Sequence, residues 1–425
     1  MRLRILLPLV AATLGVVVRQ NNTIGVRLER EHSNAPAGRV GLLPFESDPN
    51  GAIRTQNAAE VSGVVFADAN RNGTRDAGEK GIANVPVSNQ DVVVTTDANG
   101  AFRLPTAGTG VVFVSTPNGY RAVGDFWRPA NGTPTLSFPL TRDQASAEFT
   151  FIHASDTHIS QASLARTQRL RALVDSIAPN MLIISGDLVR DALRVSEAEA
   201  TGYYDMFMRE RNAFKTPVFT VPGNHENFGI ERDTSHIPIA HPLYGRGMYH
   251  KYLGPDYYSF TRGGVHFVGL NTVDIADKEY YGHVDSLQLA WLERDLALVP
   301  ANTPIVTFDH IPFFTTFDMM NGYNDRPPAP SLITVNGKTV YRHSVSNAAE
   351  ALAILRKHRH ELALGGHMHA TERIEYEMAG ITTRFNQVSA VVSPTPSAGA
   401  RSVSGVTLYR VKDGQIDKGR FIPLR

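Results

Sequence analysis

Five times along this chain an apolar, strand-like run stops at a residue able to hold a metal or a proton. Phe151–Ala154 runs into Ser155-Asp156-Thr157-His158, Met181–Ser185 into Gly186-Asp187, and Val218–Val221 into Pro222-Gly223-Asn224-His225-Glu226. Ile305–Phe308 runs into Asp309-His310, and Leu362–Leu364 into Gly365-Gly366-His367-Met368-His369. A strand that stops in this way turns its last polar side chains toward a ligand at the carboxyl edge of a sheet. One Asp-x-His triplet is ordinary surface loop. Five such endings in order confine the chain to a sheet whose edge is a polar site.

The segments between these endings have a helical period. Leu170, Leu173, Val174 and Ile177 recur at helical spacing before Pro179, as do Leu289, Leu292 and Leu296, and then Ala348, Leu352 and Leu355. Each stripe is read as core packing. Strands alternating with helices from about residue 148 to the end predict an α/β domain. Beyond His369, Val388–Val392 and Val406–Tyr409 return to β texture and are expected to finish a second sheet. Residues 227–263, rich in His, Pro, Gly and Tyr, are expected to overhang the strand ends as a long loop.

A chain of 425 residues holds more than one domain. Arg2 and Arg4 precede the apolar run Leu6–Val18, which is short for a bilayer span and suits a secretory segment. Residues 1–19 are therefore expected to be a signal peptide or amino-terminal anchor. The protein is then periplasmic, secreted or at the cell surface, and membrane contact is confined to that segment if it stays uncleaved. Residues 20–58 read as an irregular lead-in. Lys and Arg (42) balance Asp and Glu (41), so no nucleic-acid partner is expected. Without cysteine, any metal must be held by His, Asp, Glu or Asn.

Over residues 59–145 short β runs such as Val61–Phe66, Val92–Thr95 and Val111–Val114 alternate with turn residues, predicting a small antiparallel all-β sandwich. Within it, Asp68, Asn70, Asn72, Thr74, Asp76 and Glu79 fall at alternating loop positions with Gly73 at the sixth. That is the pattern of a calcium loop, although no amphipathic helix precedes it. The stretch resembles the B-type repeats of serine-aspartate adhesins, which implies a calcium-stabilised spacer with no active site of its own.

The ordered set Asp156-x-His158, Gly186-Asp187, Gly223-Asn224-His225-Glu226, His310 and Gly366-His367-x-His369 resembles the calcineurin-like metallophosphoesterase superfamily over residues 148–425. Tyr257–Phe260, Gln288-x-x-Trp291-Leu292 and His310-Ile311-Pro312 are similar to its bacterial, extracytoplasmic branch. The resemblance implies a four-layer αββα sandwich, with two mixed sheets packed face to face between helices. It also implies two transition-metal ions, Mn, Fe or Zn. Asp156, His158, Asp187 and His369 would hold one; Asp187, Asn224, His310 and His367 would hold the other. The implied reaction is hydrolysis of a phosphomonoester or phosphodiester, a small molecule or a lipid headgroup, by a hydroxide bridging the metals.

His225 is outside the ligand set and stands either to protonate the leaving alkoxide or to prop Asn224. Relatives carry an Asp three residues after the bridging Asp to orient this His. Here Arg190 occupies that position and the Asp follows at Asp191, which makes Arg190 a candidate phosphate clamp. Two other readings stay open at this level. One is a calcium-dependent surface spacer with an inert phosphoesterase domain; the other is a nuclease of the same fold, which would need a basic groove.

Overall fold

The computed structural model describes residues 60–105, 109–130, 135–143, 147–326, 329–378, 380–392 and 403–425. The expected export segment and lead-in lie outside these residues. Among the described residues, no helix is long and apolar enough to cross a membrane.

All five apolar runs are strands. Glu148–Ala154, Met181–Ser185 and Val218–Val221 lie side by side in parallel, in the order third, second, first. Gly405–Lys412 continues this sheet antiparallel to Glu148–Ala154. In the second sheet Val265–Gly269, Pro304–Phe308, Arg359–Gly365 and Ile381–Gln387 are parallel neighbours. Tyr258–Arg262 and Glu372–Met378 flank them antiparallel. The expected mixed α/β architecture is present. Val406–Tyr409, however, closes the first sheet, which already carries three of the five endings.

Strands buried on both faces read as unbroken apolar runs, and here the alternation assigns each face a different core. Phe149, Phe151, Met181 and Ile183 point between the sheets toward Phe267, Val306 and Leu362. Phe151 stacks on Tyr409 of its own sheet (centroids 4.9 Å apart) and meets Phe267 of the other edge-on at 5.6 Å. Ile152, Leu182 and Ile184 point the opposite way, onto Leu170 and Val174 of the helix Leu164–Ile177 and Phe207 of Glu197–Ala213. The helices Ser286–Leu296 and Ala348–Leu355 bury Trp291, Leu292, Leu352 and Leu355 in the same apolar cluster, the first of them on the other face of the second sheet, where His266 meets its Asp295. The three predicted helical stripes are all helical.

Two expectations change. Val388–Val392 is buried but is no strand: the Val391 and Val392 N–H groups donate to the Ser155 and Asp156 carbonyls at 3.0 Å. The run therefore threads beneath the first polar loop instead of joining a ladder. Residues 227–263 are more ordered than a loop, containing the helices Arg232–Ser235 and Gly247–Leu253 and the strand Tyr258–Arg262.

Residues 60–142 form two four-stranded sheets. The expected all-antiparallel pattern is broken at one place, where Glu60–Ala67 and Thr135–Arg142 pair in parallel. This sandwich shares packing with the larger sheets. Phe113 meets Tyr258 and Trp291 edge-on, Gln90 donates to Asp256, and Tyr257 donates to the Gln90 carbonyl. The described residues lie in one compact unit, Asp48–Arg425.

In the loop Asp68–Glu79 the carboxylates serve the backbone. Asp68 accepts from the N–H groups of Arg71, Asn72 and Gly73, and Glu79 accepts from those of Ala69 and Asp76. Asn70 and Asn72 both donate to Asp76.

Candidate metal centre

The site is built from backbone that few residues adopt. Asp156, His158, Asp187, His367 and His369 all have positive φ, between 38° and 69°. Left-handed conformations in non-glycine residues are costly and persist only where the surroundings hold them in place. Here each lies two to four residues beyond a buried strand, and the abrupt turn folds the polar side chain back over the sheet edge. Close packing enforces the arrangement. A Cβ on Gly223 would stand 2.2 Å from Asp187 Oδ1, and one on Gly186 (φ 85°) would stand 2.6 Å from His310 Nδ1.

All seven expected ligands converge. Asp156, His158, Asp187 and His369 form one group, and Asp187, His310 and His367 a second, with donor atoms within 4.8 Å of one another in each. His158 Nε2 stands 3.2 Å from His369 Nε2 and 3.4 Å from Asp187 Oδ2. His310 Nε2 stands 3.2 Å from Asp187 Oδ1, 3.1 Å from Asn224 Oδ1 and 3.2 Å from His367 Nδ1. Asp187 thus faces one group with each carboxylate oxygen, as a bridging ligand must.

The donor set fits two metal ions on independent grounds. Asp156 Oδ1 is buried without a hydrogen-bond donor, and ring nitrogens point at each other across 3.2 Å. Such atoms need a cation or a proton between them. His310 Nδ1 lies 2.8 Å from the Ser185 carbonyl, and donation there leaves Nε2 as the lone-pair nitrogen facing Asp187. Burial opposes ionisation of Asp156 and Asp187, yet the surrounding His rings hold both well below the usual carboxylate range. Burial likewise opposes a charged His310, but Asp187 pushes it up to about 10, and a bound metal takes over that proton's role.

His225 lies beside this centre with its ring edge-on to His158, centroids 4.6 Å apart. Its N–H donates to Asp187 Oδ1 at 3.0 Å, and its Nδ1 is buried with no partner. Burial, with His158 adding to it, pushes its pKa down to about 4. Asp191 does not orient the ring, because its carboxylate accepts from the Leu193 and Arg194 N–H groups and pairs with the Arg194 guanidinium at 3.0 Å. Arg190 is exposed and is absent from the cleft lining, so it does not stand where a phosphate clamp would.

Three functional groups escape sequence reasoning. Glu226, in the fourth position of the Gly223–Glu226 motif, accepts from the N–H groups of Leu188 and Val189 with one oxygen and Gly223 with the other. It ties the Asp187 turn to the Asn224 turn, and burial raises its pKa to about 7 against those three donors. His343 Nδ1 lies 2.8 Å from His367 Nε2. Asp318, on the short helix Phe317–Asn321, accepts from Ser331 Oγ at 2.9 Å. Together with the metal-ligand residues, the last two line a cleft of ≈ 450 Å³. A lone His or Asp in an aperiodic stretch gives no sequence signal. Only the tertiary placement of Asp318 and His343 beside the centre reveals them.

Comparison with known proteins agrees with this geometry. A family model described as calcineurin-like phosphoesterase matches residues 149–371, and one described as the N terminal of calcineurin-like phosphoesterase matches residues 68–151. The chain is 24% identical over 216 residues to a 3',5'-cyclic-nucleotide phosphodiesterase of Nostoc sp., covering 51% of this chain. The match spans 63% of that relative, less than two thirds of its length. Among solved structures it resembles a dimetal phosphatase from Danio rerio, at 17% identity and a TM-score of 0.43, over 64% of this chain and 96% of that one. It also resembles an anchor protein of the inner membrane complex of Plasmodium, at 12% identity and a TM-score of 0.38, over 65% and 85%.

Proposed function

Since the chain belongs to the calcineurin-like phosphoesterase family, we propose that it is an exported dinuclear-metal hydrolase of phosphoesters. The observation that carries this reading is the shared carboxylate, with Asp187 Oδ2 facing His158 and Oδ1 facing His310. Asp156, His158, Asp187 and His369 would hold one ion; Asp187, Asn224, His310 and His367 the other. Such a pair supplies Lewis acidity toward phosphoryl oxygens and a water-derived nucleophile at neutral pH. Imidazole, carboxylate and amide donors suit Mn, Fe or Zn, and the neutral ligands keep the site open to an anionic phosphate.

In this reading His225 would give a proton to the departing alkoxide. It is half-buried on the cleft wall, and its unpartnered Nδ1 leaves the ring without a competing anchor. Glu226 fixes the turn that presents it. Export is supported by Arg2, Arg4 and the apolar run Leu6–Val18. The spacing of Asp68, Asn70, Asn72, Asp76 and Glu79 supports calcium in the amino-terminal sandwich, and with it the adhesin-type character of that module.

The test is a panel of phosphomonoesters and diesters assayed with metal-free protein reloaded with Mn, Fe or Zn one at a time. Turnover that requires two metal equivalents per chain is the expected result. An absence of turnover on every ester with two equivalents bound would overturn the reading in favour of an inert domain.

A further inference from the structure

The wall of the cleft facing the metal-ligand residues is contributed by the segment that folds back over them, and its charge is unusual for a surface meeting a phosphoester. Its described lining includes Phe317, the neutral amides of Asn321 and Asn324, Ser331, and the carboxylate of Asp318. Ser331 Oγ donates to Asp318 Oδ1 at 2.9 Å, which orients the carboxylate; among the described residues, nothing hydrogen-bonds to Oδ2. Two guanidinium groups near the cleft are engaged elsewhere. Arg342 is buried, lies over the Tyr280 ring at 4.2 Å and pairs with Glu279 at 3.0 Å. Arg194 is paired with Asp191 and Glu231. The described residues that line the cleft include no Lys or Arg, so positive charge there belongs to the metal side, and the opposite wall presents the Asp318 carboxylate and the Phe317 ring.

We propose that the substrate is a phosphodiester one of whose alcohols carries a cationic amine, with the ammonium seated against Asp318 and Phe317. This deepens the phosphoesterase reading and rests on it. A carboxylate attracts an ammonium and repels a second anionic group, so a dianionic or polyphosphate substituent is disfavoured on this wall. The ring of Phe317 adds the quadrupole attraction that quaternary ammonium groups find in aromatic sites. A diester leaves a single negative charge, which the metals and His225 can meet without Lys or Arg on the wall.

The experiment compares glycerol phosphodiesters of choline and of 3,3-dimethylbutanol, the neutral carbon isostere, as kcat/KM with metal-loaded full-length protein. Calorimetry with phosphocholine and 3,3-dimethylbutyl phosphate reads binding separately from turnover. The expected result is a preference of about tenfold for the cationic member in both measurements. That preference should shrink as salt is raised from low to about 0.5 M, because screening weakens a cleft-mouth ion pair. In Asp318→Asn, where the amide oxygen can still accept from Ser331, the ratio should fall toward one. Equal kcat/KM for the two isosteres in wild-type protein overturns the inference, and so does a preference that survives both salt and Asp318→Asn. If neither these esters nor nitrophenyl phosphates are hydrolysed with two metals bound, the phosphoesterase reading itself has failed, and this inference with it.

Discussion

His343 Nδ1 stands 2.8 Å from His367 Nε2, and His367 turns its other nitrogen, Nδ1, toward His310 and Asp187. A ring that presents Nδ1 to a metal must carry its proton on Nε2, so His343 is the acceptor that fixes the tautomer and the ring plane. Groups in this position typically change metal affinity by 10–100-fold. His343→Ala should therefore weaken one of two metal sites by about that factor, while the other, built from Asp156, His158 and His369, keeps its ion. Metal titration followed by elemental analysis checks this. Equal weakening of both sites would point to a general loosening of the cleft.

Asp187 presents one oxygen to each group, at 3.4 Å from His158 and 3.2 Å from His310. Its Oδ1 also accepts from the His225 N–H. Asp187→Asn keeps the volume and one acceptor oxygen but cannot serve two cations as an anion. The variant is expected to fold, to bind substantially less than two metal equivalents, and to lose turnover. Two tightly bound equivalents by elemental analysis would sink the bridging assignment.

The centre was legible in the sequence because every part of its scaffold is local. A strand buried on both faces leaves a solid apolar run, and the turn after it carries the ligands within two to four residues, as in Ile184-Ser185-Gly186-Asp187. Contributions made by tertiary fold-back left no such mark. Asp318 and His343 come from a stretch without hydrophobic period. Val388–Val392 misled because a run buried around a loop has the same composition as one buried in a sheet. Arg190 misled because it is exposed and off the cleft lining, while Asp191 is consumed by Arg194.

Arg246 is a largely covered hub within 3.6 Å of Asp256, 3.5 Å of Asp274 and 3.1 Å of Asp285. Burial alone would raise Asp256 and Asp274; His250 and Arg246 hold the first below the carboxylate range, and His283 and Arg246 the second. Arg246→Leu leaves these carboxylates under-compensated and should cost about 3–5 kcal/mol at neutral pH. A native pKa below the unfolded value gives stability that is present above about pH 4 and lost as pH falls through the native value. The gap between wild type and variant should therefore narrow below pH 4. Thermal melts from pH 3 to 7 read both effects, and a gap independent of pH would remove the electrostatic account.

Glu79 closes its loop through the backbone, accepting from the Ala69 and Asp76 N–H groups. Glu79→Ala should thus lower the melting temperature even in chelator. Calcium binding, if the loop holds it, adds stability by mass action, about 2.7 kcal/mol at a hundredfold excess over Kd. Full-length wild type should then melt several degrees higher in calcium than in chelator, and Glu79→Ala should show no such increment. Turnover at saturating transition metal should be the same in both media. An identical wild-type melt with and without calcium would leave the loop a hydrogen-bonded turn.

The two roles open to His225 separate by leaving group. Its Nδ1 is unpartnered and its ring meets His158 edge-on, so the side chain is held by packing while its backbone N–H is tied to Asp187. Burial favours the neutral ring in the free site, and the negative charge of a bound phosphoester draws the proton back to it. An alkyl alkoxide departs only with a proton, whereas a nitrophenolate departs without one. As a general acid, His225→Ala should slow alkyl esters by about 10²–10⁴-fold and nitrophenyl esters little. As a prop for Asn224, its loss should weaken the second metal site and slow both classes alike, with rescue by excess metal. Measured as kcat/KM across a leaving-group series at saturating metal, the acid role requires a steeper dependence on leaving-group pKa in the variant. A slope equal to that of wild type would assign His225 to holding the Asn224 turn.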